Sequence, residues 1–448
     1  MVNRKKVLLL CPNALGHLKP FVVIARKNIE LGYQVTVVVS EDSVLVQFPD
    51  TVSVVVVETE FWFSNVFCKT FKSKWALTLT ACIYNPVKEC QKRFDRFEAR
   101  VRLHDYDVIF IDRFLSYIAL VYPELRRKFI IVNTMMNCYR GEYNPPLNAF
   151  LHPDMRLFRV RCIIAWIRHY VDHLINYVWF GQSHPYKIYQ YILLHRDIPN
   201  CKLGVINEFG SSIFPGIQDL REVCVTFECL DFPRYKMVKH VTYLGVLVGN
   251  NTKSFDIPDE ILGELIQRAK KESKTIVYLS FGTIRGGNMR YSVEVINMLL
   301  HVVESRSDLF AIMTGAQDWF DVVDIKSSNV YITNFVPQRI LLHHCDIFVT
   351  HGGLNSIIDG IITITPMIGV PVIPSWDRLG NLSRLEFYGL GKVLSKNSIS
   401  FSAMQSAIDE LKNNFALKSN LSSFRDKILK EASRCTNNVY NIIHDHEA

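Results

Sequence analysis

The chain has 448 residues, of which 49% are apolar and 21% charged, with a formal net charge of +8. That length gives two or three domains with real cores, and the composition is globular, not disordered, collagenous or disulfide-scaffolded. The charge is mild, and no dense Lys/Arg tract with interleaved aromatics occurs, which excludes a nucleic-acid-binding reading.

Met1 to Lys6 followed by Val7 to Leu10 imitates a signal peptide, but the apolar run is short and stops at Cys11-Pro12-Asn13. It reads as a first strand. Pro12 to Pro20 is then a loop carrying Gly16-His17, Phe21 to Leu31 a helix ended by Gly32, and Val35 to Val39 the next strand. The loop holds no G-x-G-x-x-G, which counts against a dinucleotide-binding oxidoreductase. Thr51 to Val57 is β-branched and reads as a strand. Phe61 to Tyr84 is aromatic and nearly uncharged, either plain core or an apolar wall for a ligand. Tyr106 to Asp112 is a buried strand with Asp107 at its start and Asp112 at its end, and Phe129 to Thr134 is the following strand. Residues from Met135 to Asn200 are aromatic, His-rich and helical in period. Within them the apolar run from Arg161 to Phe180 is too interrupted, by Arg168, His169, Asp172 and His173, to span a bilayer. Eleven cysteines are scattered. Cys224 and Cys229 are close in sequence but lack a His cluster, so zinc is not indicated and a reducing compartment fits. Leu230 to Pro233 and the polar stretch Gly249 to Asp256 bracket a domain junction.

The second half repeats the βα logic. Lys274 to Leu279 is a strand, Ser280-Phe281-Gly282-Thr283 a loop, and Leu309 to Met313 and Val330 to Ile332 are short strands. Ile347 to Val349 leads into His351-Gly352-Gly353, a turn whose glycines let backbone approach a ligand closely. Asn355-Ser356 can cap the helix that Ile357, Ile358 and Ile361 make apolar on one side. A strand, a glycine turn and a helix N-terminus form an anion site, to which His351 and Ser356 can add donors. Pro366 to Pro374 reads as another strand that delivers Asp377, Arg378 and Asn381 to the same sheet edge, where ligands of open α/β sheets bind. Leu385 to Leu390 is then a helix, Lys392 to Leu394 a strand, and Ser402 to Asn413 and Leu421 to Ile443 are helices.

Asn334-Phe335-Val336-Pro337-Gln338, Thr350-His351-Gly352-Gly353-Leu354-Asn355-Ser356 and Asp377-Arg378, in that order, resemble the nucleotide-sugar signature of the family-one UDP-dependent glycosyltransferases. Ser280 to Thr283 is similar to the S-F-G-S/T element that opens the family's nucleotide domain. The resemblance implies an α/β GT-B fold of two facing Rossmann-like domains. Residues 1–235 would hold the acceptor, 236–420 the UDP-sugar, and 421–448 would be a helix returning to the first domain. It implies UDP contacts from Ser280, Gly282, Thr283, Val336, Gly353 and Gln338. Phe335, where tryptophan is usual, would stack on uracil, Asp359 would bind ribose, and His351, Asn355 and Ser356 would hold the diphosphate. His17 would be the catalytic base and Asp112 its partner.

Asp377 and Arg378 stand where the family has a D-Q pair binding sugar hydroxyls. Arginine has five donors and no acceptor. It can donate to hydroxyls, pair with a uronate carboxylate, turn to the diphosphate, or pair with Asp377. The implied reaction is inverting transfer of a sugar, glucose foremost, from UDP to a hydroxyl of a small apolar acceptor, without a metal. A UDP-sugar epimerase and a non-catalytic UDP-sugar-binding protein are the alternatives. With no leader or anchor legible, the chain resembles the soluble macrolide- and flavonoid-type branch, and a cytoplasmic location with no integral membrane segment is expected.

Overall fold

A computed structural model of the chain describes residues 4–40, 48–57, 86–179, 206–207, 211–212, 216–217, 220–233, 241–249, 257, 259–282, 289–315, 317–321, 323, 327–372, 377–395 and 398–444. The aromatic stretch 61–84 and the end of the His-rich region lie outside them. The chain divides into two compact units: Met1–Pro146 with Arg159–Val248 and Lys430–Ala448, and Leu147–Phe158 with Gly249–Leu429. The cut at Val248 falls after the boundary expected near residue 235, and the short piece Leu147–Phe158 goes with the second unit.

The first unit is built on a seven-stranded sheet in the order β3-β2-β1-β4-β5-β8-β9. These strands are β1 (Lys6–Leu10), β2 (Gln34–Ser40), β3 (Ser53–Val57), β4 (Val108–Asp112), β5 (Phe129–Asn133), β8 (Arg221–Cys224) and β9 (Thr242–Tyr243). All neighbours are parallel. A separate antiparallel pair joins β6 (Ile206–Asn207) to β7 (Gly216–Ile217). The central strands read as unbroken apolar runs, not alternating ones, because a parallel sheet is covered on both faces. Val7 to Leu10, Ile109 to Ile111 and Phe129 to Val132 are accordingly buried.

The helix Leu15–Glu30 begins earlier than its sequence suggests and contains Pro20. Proline has no N–H to give the carbonyl four residues back and crowds it. That carbonyl belongs to Gly16, which is exposed, so water can satisfy it. His17 therefore sits in the first helical turn and not in a loop.

The C-terminal segment is two helices, Phe415–Ala432 and Cys435–His444, where one was expected. At the break the Ser433 hydroxyl donates to the Lys430 carbonyl (2.8 Å), the local bond by which serine competes with helical pairing. Cys435, Val439, Ile442 and Ile443 fill the core of the first unit against the helix Leu15–Glu30 and its sheet. The Glu431 carboxylate accepts from Glu228 N (2.7 Å) and Cys229 N (3.0 Å), and Arg221 donates to the Ile442 carbonyl (3.0 Å).

The second unit carries a six-stranded parallel sheet in the order β12-β11-β10-β13-β14-β15. Its strands are β10 (Thr275–Ser280), β11 (Leu309–Thr314), β12 (Val330–Thr333), β13 (Ile347–Thr350), β14 (Met367–Gly369) and β15 (Gly391–Val393). Both sheets reverse strand order beside their first strand, at β1/β4 and at β10/β13. Such switch points open a crevice at the carboxyl ends of the strands. Among the described residues no helix is long and apolar enough to cross a membrane.

Ile443 is fully buried in the first unit's core. Ile443→Ala is therefore expected to destabilise the protein by about 2–5 kcal/mol in urea unfolding. A loss within about 0.5 kcal/mol, the size of a surface change, would show that the last helix does not close that core.

Candidate active site

Each switch point brings chemistry to one place. In the first unit, His17 arrives from the helix after β1 and Asp112 from the end of the neighbouring β4. His17 Nδ1 lies 2.8 Å from Asp112 Oδ2. Asp112 Oδ1 accepts from Phe114 N (2.8 Å), which fixes the carboxylate, and its side chain is 0% exposed against 16% for His17. A dry carboxylate holds a proton on the nitrogen it faces, so Nδ1 is the donor and the lone pair falls on Nε2. The Phe114 ring packs on the imidazole with centroids 4.6 Å apart. Asp107, the other carboxylate of that strand, lies at the opposite end, where its Oδ2 accepts from Lys6 N (2.7 Å).

Thr134 was not singled out by sequence. Its hydroxyl lies 2.8 Å from the same Nδ1, because β5 ends beside β4. A threonine just past a strand carries no signal of its own; only the strand order places it. A second unflagged cluster backs this sheet edge: Arg113, buried, pairs with Glu222, and Tyr139 also donates to Glu222.

In the second unit, β10 ends at Ser280 and β13 at Thr350, so Ser280 to Gly282 and His351 to Gly353 lie at adjacent strand ends. The His351 ring fits between two glycines. A Cβ on Gly282 would meet its Cε1 at 2.9 Å, and one on Gly353 would meet its Nε2 at 2.8 Å. Gly282 and Gly352 have φ of +76° and +88°, where a side chain is strained. The helix Leu354–Ile362 starts at Gly353, which offers no side-chain cap. Asn355 and Ser356, expected as caps, lie inside the first turn instead. The N-cap residue supplies no side-chain hydrogen bond there, and the amides of that turn form the positive end of the helix dipole. Thr283 lies outside the described residues.

His351 is buried, and burial first, then the nearby Arg378 guanidinium, push its pKa down to about 3. It is a neutral imidazole whose Nδ1 has no hydrogen-bond partner among the described residues. Arg378 is also buried, its Nη1 lacks a partner among the described residues, and burial lowers its pKa. Asp377 precedes it at the start of the helix Arg378–Phe387, where its Oδ2 accepts from Asn381 Nδ2 (2.9 Å). Asn381 Nδ2 also reaches the Gly352 carbonyl (3.1 Å), tying this helix to the glycine turn.

Beside this cradle Gln338 donates to Asp359 Oδ2 (2.9 Å) and lies 3.4 Å from Ser356 Oγ. Asp359 also takes two bonds from Arg339, at 2.8 and 2.6 Å, a residue that sequence reading passed over. Val336 is buried, whereas Phe335 is 72% exposed, a large ring held out at the rim. Among the described residues no group of three or more His, Cys, Asp or Glu side chains is placed to hold a metal.

The two parallel sheets are those of a GT-B fold. A solved structure, the glycotransferase of kitacinnamycin, matches over 99% of both chains with a TM-score of 0.66 and 15% identity. Residues 223–430 match the family model described as UDP-glucoronosyl and UDP-glucosyl transferase. A putative UDP-glucuronosyltransferase, ugt-50, of Caenorhabditis elegans is 28% identical over 247 residues, covering 51% of this chain and 45% of that protein. The ecdysteroid UDP-glucosyltransferase of Spodoptera littoralis nuclear polyhedrosis virus is 28% identical over 181 residues, covering 40% of this chain and 34% of that protein. The chain thus matches less than half the length of either relative.

The depressed His351 pKa has a sign that can be tested. Between about 6.5 and about 3 the unfolded imidazole binds a proton that the folded one refuses. Stability is therefore full above that window and falls as pH drops through it. In urea unfolding compared at about pH 7 and about pH 5, the wild type should lose more stability than His351→Asn. Parallel losses would contradict a buried neutral His351.

Proposed function

We propose that the protein transfers a hexose, glucose foremost, from a UDP-sugar to the hydroxyl of a small apolar acceptor, with inversion at the anomeric carbon. The reading is carried by the His17–Asp112 pair. An alcohol or phenol is a poor nucleophile at neutral pH until a base takes its proton. His17 Nε2 accepts that proton as the oxygen bonds to the anomeric carbon. The bond from that carbon to the diphosphate oxygen breaks, and its electron pair leaves with UDP. Asp112, and Thr134 beside it, hold the ring in the tautomer the step needs and stabilise the imidazolium. One displacement turns an α-linked donor into a β-glycoside.

The leaving diphosphate rests on the first-turn amides of Leu354–Ile362 and on His351. Arg378 joins them: its partnerless Nη1 and its influence on His351 favour the diphosphate over a sugar carboxylate among the roles open to it. Donors preorganised in a dry site supply charge stabilisation as it develops, so no metal is required. Phe335 stacks on uracil, Gln338 contacts the nucleoside, Asp359 binds ribose and Asp377 the sugar hydroxyls. The printed activities of the relatives, glucosyl and glucuronosyl transfer from UDP, agree with this class.

His17→Ala should slow transfer on the order of 10²–10⁴-fold with UDP affinity nearly unchanged, and Asp112→Asn should behave alike. Unimpaired turnover by either variant sinks the assignment. Turnover of UDP-sugar that needs no acceptor would point to the epimerase instead.

Arg378→Gln should weaken UDP binding by about 1.5–3 kcal/mol, the worth of a hydrogen bond to a charged group. The ratio of kcat/KM for UDP-glucose to that for UDP-glucuronate should stay put. A wild type that prefers UDP-glucuronate, with the preference lost in Arg378→Gln, would make Arg378 the donor-specificity residue. Activity should survive excess EDTA; loss that magnesium or manganese restores would contradict the metal-free mechanism.

A further inference from the structure

The helix Phe158–Trp179 is apolar on two opposite faces. Phe158, Cys162, Trp166 and His169 are buried, and Trp166 Nε1 donates to the Asn144 carbonyl (3.0 Å). That is the inward face. Val160, Ile163, Ile164, Ile167 and Val171 recur at helical spacing and are each 46–56% exposed. At 3.6 residues per turn they form one stripe opposite the buried face. A helix on the surface of a water-soluble protein presents charge there, not five branched aliphatic side chains.

The charges sit at the stripe's edges. Arg161 and Arg168 project on one side and Arg159 on the other, all exposed. Asp172, beyond Arg168, is the exposed acid on the helix, and Glu142 lies 3.2 Å from Arg159. An aliphatic stripe between arginines is the pattern of a helix lying in the headgroup–acyl boundary of a bilayer, with guanidinium forks reaching lipid phosphates.

We propose that this face docks the protein peripherally on an anionic lipid surface. A second copy of the chain is the poorer occupant. A two-fold contact would set the same patch against itself, bringing the flanking arginines of both copies together. The inference stands on exposure and charge placement, and does not depend on the transferase reading.

The test uses the full chain and vesicles of phosphatidylcholine with and without phosphatidylserine. The wild type should float with the phosphatidylserine vesicles and be released as salt rises. Ile163→Asp with Ile167→Asp should weaken flotation on the order of tenfold or more, with an unchanged Tm and elution volume. Arg161→Gln with Arg168→Gln, which leaves the apolar stripe intact, should shrink the preference for phosphatidylserine. Wild type that never floats overturns the proposal. So does a dimer that the aspartates dissociate, which assigns the face to a second copy. A fall in Tm with the aspartates also overturns it, since the stripe would then be covered by the chain itself.

Discussion

The account rests on one hydrogen bond, from His17 Nδ1 to the carboxylate of Asp112. A histidine at a helix start is ordinarily a solvated side chain with two interchangeable tautomers. Here a buried carboxylate, pinned by Phe114 N, removes that freedom. The packing supplies what the bond needs. Parallel β1 and β4 are neighbours, with Leu10 beside Ile111, so the chain leaving one strand meets the last residue of the other. Burial of Ile109 to Ile111 on both faces of the sheet keeps water from the carboxylate and strengthens its hold on the ring.

The second unit uses the same topology for a different task. At β10/β13 the residues leaving the strands are mostly glycine, so backbone and imidazole lie close together where the first unit has an acid–base pair. Glycines at Gly282 and Gly353 leave room for the His351 ring, and burial keeps that ring neutral. A neutral donor beside a helix N-terminus and a buried guanidinium suits an anion that arrives and departs. One architecture, used twice, thus places a histidine–carboxylate pair in one unit and, in the other, the buried imidazole and guanidinium to which we assign the diphosphate.

Much of this was legible in the sequence. The apolar runs at Val7, Ile109, Phe129, Ile276 and Ile347 mark the central strands, and the motifs from Gln338 to Arg378 mark residues that the fold gathers at one sheet edge. Asp112 was distinguished from Asp107 by its place at the strand's end. What escaped depends on contacts distant in sequence. Thr134 is marked only by β5 lying beside β4, and Arg339 only by the packing that brings Asp359, twenty residues on, within reach. Local breaker rules misled at Pro20, where an exposed Gly16 lets the helix continue, and missed the break at Ser433, where no glycine or proline stands. The burial of Arg378, with its Nη1 unpartnered among the described residues, could not be read at all, since burial of a charged residue follows from its neighbours and not its type.

The central claim is a single displacement driven by a histidine base, and the anomeric configuration of the product tests it most directly. With UDP-α-glucose and a hydroxylated aromatic acceptor, proton NMR of the glycoside should show the β-anomer alone, formed in step with UDP release. An α-glycoside would require two displacements or a front-face route, and would contradict the role given to the His17–Asp112 pair.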